Sequence, residues 1–96
     1  MLIKAGVDIS RLNREIRRAL PKIERVYASY GFELVITSTY EGNHGAGSLH
    51  YGDDAIDTRK ETKFERNVVK DLKVGLGTAF DVVLEMDHIH IEYDPD

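Results

Sequence analysis

Two short stretches constrain this chain more than anything else in it. Ser48-Leu-His-Tyr-Gly-Asp-Asp-Ala-Ile-Asp57 and Asp87-His-Ile-His90 hold two imidazoles and a carboxylate, in the order His50, Asp57, His90, with Asp87 just ahead of the last histidine. A catalytic zinc site needs three protein ligands, an open position for water and a nearby carboxylate to take that water's proton. A fold that serves these residues has to bring two distant stretches onto one point. The chain has no cysteine, so no thiolate competes as a ligand and no disulfide fixes the geometry.

The second stretch lies in a strand. In His88-Ile-His-Ile-Glu-Tyr93 the side chains alternate, so His88, His90 and Glu92 face one way and Ile89, Ile91 and Tyr93 the other. The isoleucines face a core and the histidines a cleft. Phe80–Glu85 reads as the preceding strand, joined through Met86-Asp87 in a hairpin. Upstream, Leu12, Ile16, Leu20, Ile23, Val26 and Tyr30 recur at helical spacing over residues 10–30, capped by Ser10 or Asp8 and ended by Gly31. Pro21 in its middle predicts a kink or short break. Phe32–Thr39 is β-rich and reads as a central strand, and Ala55–Thr58 as a short one. Between them Tyr40–Leu49, with Gly42, Gly45 and Gly47, reads as a loop of the kind that borders sites. Thr62-Lys-Phe-Glu65 has capping-box spacing and opens a helix to about Val74, ended by Gly75 or Gly77. The order α-β-β-α-β-β predicts one α+β domain over residues 1–96: a small antiparallel sheet with helices packed on one side.

Composition narrows the function classes. A net charge of -4 with both signs interspersed argues against a nucleic-acid partner. No apolar run reaches the roughly 20 residues of a membrane span, and Met-Leu-Ile-Lys-Ala-Gly-Val-Asp has no signal-peptide core. A protein made in the cytoplasm, without membrane insertion, is the expectation. Oligomeric state is not legible.

Two neutral histidines and one aspartate leave Zn²⁺ with residual positive charge, which keeps it Lewis-acidic. Asp87 or Glu85 offers the proton acceptor, and protonated His88 can stabilise an oxyanion. His88 and His90 lie about 6–7 Å apart along a strand, so one ligates and the other assists. Arg59 offers a grip for a substrate carboxylate, against the plainer alternative of a solvent-facing charge. Asp53, Asp54 and Asp57 could likewise be no more than a solvated acidic turn.

These residues resemble the M15 family of zinc D,D-peptidases, which includes D-alanyl-D-alanine carboxypeptidases and phage endolysins cleaving L-alanyl-D-glutamate bonds. The family pattern is Ser-x-His-x-x-Gly-x-Ala-x-Asp followed by Asp/Glu-x-x-His. Ser48, His50, Ala55 and Asp57 match its first part, and Asp87 and His90 its second. The resemblance implies a zinc cofactor on His50, Asp57 and His90, Asp87 as general base, and Ser48 near the substrate's carboxylate. It further implies peptidoglycan stem peptides as substrate and phage or prophage lysis as setting, with release through a holin or carriage in a virion. Ser48-Leu-His-Tyr and His88-Ile-His90 also look like the hedgehog signalling domain, which shares this fold and zinc site. His44 is placed as in that relative, whose glutamate falls near Glu85. The hedgehog likeness implies an alternative, a zinc-binding interaction module without turnover. Asp53 stands where the pattern has glycine, and Thr37-Ser-Thr-Tyr-Glu-Gly occupies the place where many members carry an arginine.

Overall fold

The computed structural model describes residues 1–39 and 53–95. Their elements are β1 (Leu2–Ile3), α1 (Arg14–Ser29), β2 (Val35–Ser38), β3 (Ala55–Arg59), α2 (Glu65–Leu76), β4 (Phe80–Leu84) and β5 (His88–Tyr93). Five strands form one sheet in the order β1-β2-β3-β5-β4, an α+β architecture. The sheet is mixed rather than purely antiparallel, because β1 runs parallel to β2 while every other pairing is antiparallel. β1 is too short to show an alternating pattern, and its pairing is supplied by distant residues.

The core lies between the sheet and the helices. Ile16, Ala19, Leu20, Ile23 and Tyr27 of α1 and Val68, Val69 and Leu72 of α2 are buried against Ile36, Ile56, Val82, Ile89 and Ile91. The apolar face of α1 passes through Tyr27, leaving Val26 and Tyr30 only half-buried. α1 starts at Arg14, later than expected, and its N-cap is Asn13 rather than Ser10 or Asp8. Asp8 instead accepts a hydrogen bond from the Ser10 N–H at 2.8 Å, which makes a turn. The helix runs through Pro21 without a break. Gly31 ends it as expected: at φ 77° it lets the Gly31 and Phe32 amides fold back to the carbonyls of Ala28 and Tyr27, at 2.9 and 3.0 Å.

The capping box does not form. Phe64, at φ 60° and ψ 19°, is the N-cap of α2 and makes no capping bond, while the Tyr30 ring packs against it at a tilt, with centroids 5.9 Å apart. Gly75 lies inside α2, and Gly77, at φ 86°, terminates it. β2 is four residues, shorter than the apolar run around it, because the chain enters from a turn at Gly31. No helix among the described residues is long and apolar enough to cross a membrane.

Candidate metal centre

Both helices pack on one face; among the described residues nothing covers the other face of the sheet, and the alternation of β5 delivers His88, His90 and Glu92 to it. Ile89 and Ile91 are buried while the histidines are half-exposed. β3 lies antiparallel to β5 with Asp57 directly opposite His90 and Arg59 opposite His88. Directly opposed residues share a face and bring their side chains together. Tyr27 fixes β3 from behind: its hydroxyl donates to the Arg59 carbonyl at 3.0 Å and shares a hydrogen bond with Thr58 Oγ1 at 2.8 Å.

The result is an alternating row of carboxylates and imidazoles. His90 Nδ1 meets Asp57 Oδ1 at 3.0 Å and His90 Nε2 meets Glu92 Oε1 at 2.5 Å. His88 Nε2 lies 3.6 Å from the same Asp57 oxygen, and His88 Nδ1 bonds Asp87 Oδ1 at 2.6 Å. Asp57 is only 8% exposed, so its charge needs these partners. Its hydrogen bond to His90, reinforced by Glu92, raises the imidazole above its ordinary pKa against the opposing effect of burial. Hydrogen bonding to His88 holds the Asp87 carboxyl below its ordinary value.

Asp87 sits at the tip of the β4–β5 hairpin with its side chain 86% exposed. The tip is held by Lys60, whose ammonium donates to the carbonyls of Met86 and, at 3.3 Å, Glu85. Glu85 is exposed, and its backbone N–H, across the hairpin, donates to the His88 carbonyl at 2.9 Å. Beside the row lies a cavity of about 260 Å³ lined by Lys4, Thr37, Asp57, Arg59, Asp87 and His88. Arg59 also pairs with Glu61 at 3.7 Å, so it stands at the site without being dedicated to it. Thr37 reaches the cavity through a register shift in which Ile36 pairs with Thr58 and Ser38 with Asp57. Such bulges re-aim side chains.

The described donors fit half of a zinc set. Two ligand atoms on a tetrahedral zinc are separated by about 3.3 Å, given metal–ligand bonds near 2.0–2.1 Å. The Asp57 and His90 atoms are 3.0 Å apart, so little movement would admit an ion. Glu92 then has the place of an outer carboxylate that orients the ligating imidazole through its second nitrogen. His50, the third expected ligand, lies outside the described residues, as do Ser48 and His44. The described residues that bring three ligand atoms within 4.8 Å of one another are Asp81, Glu92 and Asp94. That group has only hard carboxylate oxygens and no imidazole, a set suited to other cations than zinc.

Sequence reasoning placed Glu92 on the face of His90 without giving it a role, and missed Lys4 and Lys60 as members of this neighbourhood. Glu92 was legible from its shared face with His90. Lys4 and Lys60 reach the site through the tertiary fold, which no local pattern encodes. Position 53 has φ 62°, the left-handed region that glycine enters freely and aspartate tolerates. Together these positions define a cross-strand imidazole–carboxylate centre on the face of an α+β sheet turned away from the helices. Comparison of the chain with protein-family models, with curated proteins and with solved structures finds no match.

Proposed function

We propose that the chain is a zinc-dependent peptidase acting on peptidoglycan stem peptides, with a hedgehog or D,D-peptidase type of site. The observation that carries this reading is the direct cross-strand pairing of Asp57 with His90. Two of the three ligands expected from the motif resemblance meet there with donor atoms at near-ligand spacing. The left-handed backbone at Asp53 is a second support, since it is the conformation a glycine of the family pattern would serve.

His50, Asp57 and His90 would hold the ion, which when bound supplies Lewis acidity and a water whose pKa falls towards ~7. Asp87 would serve as the proton acceptor beside the site, with Glu85 as the alternative at the far side of the hairpin. His88, held by Asp87, would donate a hydrogen bond to the carbonyl oxygen as charge develops on it. Arg59 and Lys4, lining the same cavity, would attract a carboxylate of the substrate. Ser48 and His44 keep the orienting roles that the resemblance implies. A phage or prophage origin and delivery to the wall belong to the same proposal.

Digestion of peptidoglycan and defined stem peptides by the zinc-loaded protein, read by mass spectrometry, tests this. Loss of D-alanine, or release of peptides beginning at D-glutamate, should occur with the native chain and vanish in Asp57→Ala. One observation favours a second reading, a zinc-binding interaction module without turnover. Asp87 is largely exposed and already engaged by His88, which makes it a weaker proton acceptor. Zinc retained at one per chain with no cleavage of any wall peptide would select the module.

A further inference from the structure

β4 is an end strand. The strand order places β5 on one side of it and, among the described residues, nothing on the other. The hairpin determines which of its backbone groups point outward. The Glu85 N–H donates to the His88 carbonyl at 2.9 Å and the Asp94 N–H to the Ala79 carbonyl at 2.8 Å. In an antiparallel ladder, hydrogen-bonded and non-hydrogen-bonded pairs alternate. Asp81 and Val83 therefore bond to β5, while Phe80, Val82 and Leu84 turn their backbone groups to the free edge. The Phe80 N–H is taken by the Gly77 carbonyl at 3.3 Å. This leaves the amides of Val82 and Leu84 and the carbonyls of all three residues as the pairing groups.

Proteins usually blunt such an edge with proline, lysine, a bulge, or a strand too short to template another. β1, the opposite edge, is blunted by having two residues. β4 has five, in the sequence Phe-Asp-Val-Val-Leu, with an unbroken register against β5. A groove of about 590 Å³ runs beside it, lined by Val74, Phe80, Val82 and Val83 and, among polar residues, by Lys73 of α2, Asp81 and Glu92. Val83 is 43% exposed and Val74 77%. A five-residue edge flanked by exposed apolar side chains is a template for pairing.

We propose that two copies of this chain pair through β4, antiparallel about a twofold axis at Val82, to make one continuous sheet. Charge favours a second copy of the chain in one register. Only residues with outward backbone groups can bond across the axis, so the twofold registers that overlap most centre on Asp81, Val82 or Val83. Centring on Asp81 opposes the two Asp81 carboxylates, and centring on Val83 sets each Asp81 opposite the partner's Glu85. Like charges directly opposed across strands destabilise the pair. Centring on Val82 sets each Asp81 opposite the partner's Val83, and each Phe80 opposite the partner's Leu84. Asp81 thus selects one register out of three, and that register is self-complementary, as a twofold interface requires. The axis stands perpendicular to the sheet, so both imidazole–carboxylate rows lie on the same face of the joined sheet.

Sedimentation equilibrium across a range of protein concentration, on the native chain, Val83→Asp and Val83→Lys, tests the interface and its register together. Val83 is partly exposed, so either charge is tolerated by the fold. The native chain should be in monomer–dimer equilibrium. Val83→Asp, facing the partner's Asp81 twice by symmetry, should weaken the dimer about tenfold, and Val83→Lys should tighten it severalfold. Amide exchange by NMR on the native chain gives the second reading: the Val82 and Leu84 amides should become protected as concentration rises, while those of Asp81 and Val83 stay protected throughout. A chain that is monomeric at millimolar concentration overturns the proposal. So does a dimer that both charges shift in the same direction, or one that leaves the Val82 and Leu84 amides in fast exchange.

Discussion

A carboxylate as enclosed as Asp57 is tolerated because imidazole N–H groups face it from β5. The same contacts decide how the site responds to pH. His90 has a raised folded-state pKa, chiefly through Asp57. Its contribution to the stability of the metal-free protein is therefore full below the unfolded histidine value of about 6.5 and is lost as pH rises through the folded value. Zinc needs the neutral ring, so zinc affinity should fall as pH drops through that same range, measurable by competition with a chromophoric chelator. Glu92→Gln weakens the outer hold on His90 and should cost about tenfold in zinc affinity in the same assay. At position 53 the left-handed backbone and a buried Oδ1 atom without a hydrogen-bond partner among the described residues both burden the native aspartate, outweighing a long 3.8 Å ion pair with the exposed Arg11. Asp53→Gly should raise stability by about 1 kcal/mol in urea denaturation. The common face of His88, His90 and Glu92 was legible because strand alternation has a period of two. The pairing of Asp57 with His90 was not, because it depends on a register between strands far apart in sequence.

Elements followed their patterns where one local force dominated. β5 matches its expected bounds because alternation and burial agree, and Gly31 ends α1 because only its freedom at positive φ closes the turn. Where two forces competed, the tertiary one won. Pro21 lacks an N–H and crowds the preceding turn, yet α1 continues through it because Ile16, Leu20, Ile23 and Tyr27 bury one face on both sides. Pro21 itself is exposed, so Pro21→Ala removes the backbone cost with little loss of packing. It should stabilise the fold by about 2 kcal/mol, read as a higher thermal midpoint with unchanged zinc affinity. Thr62 and Glu65 had capping spacing, but the chain enters α2 through Phe64 against Tyr30, and aromatic contact replaces the cap.

At the scale of the whole molecule, helices on one face of the sheet leave the other face to the strands that carry Asp57, His88, His90 and Glu92. That arrangement was partly legible: an α+β domain with helices on one side of a sheet follows from two helical segments and a β5 with two unlike sides. The parallel β1 and the free edge at β4 were not, since neither is written in any window of sequence. Zinc that binds only the folded chain would add about 2.7 kcal/mol of stability at 100 times its dissociation constant. Elemental analysis of zinc in the purified native chain and in Asp57→Ala, after dialysis against free zinc at neutral pH, bears most directly on the paired Asp57–His90 centre. One zinc per native chain and a large loss in the variant is the predicted result. Equal zinc in both proteins, or none in the native chain, would contradict it.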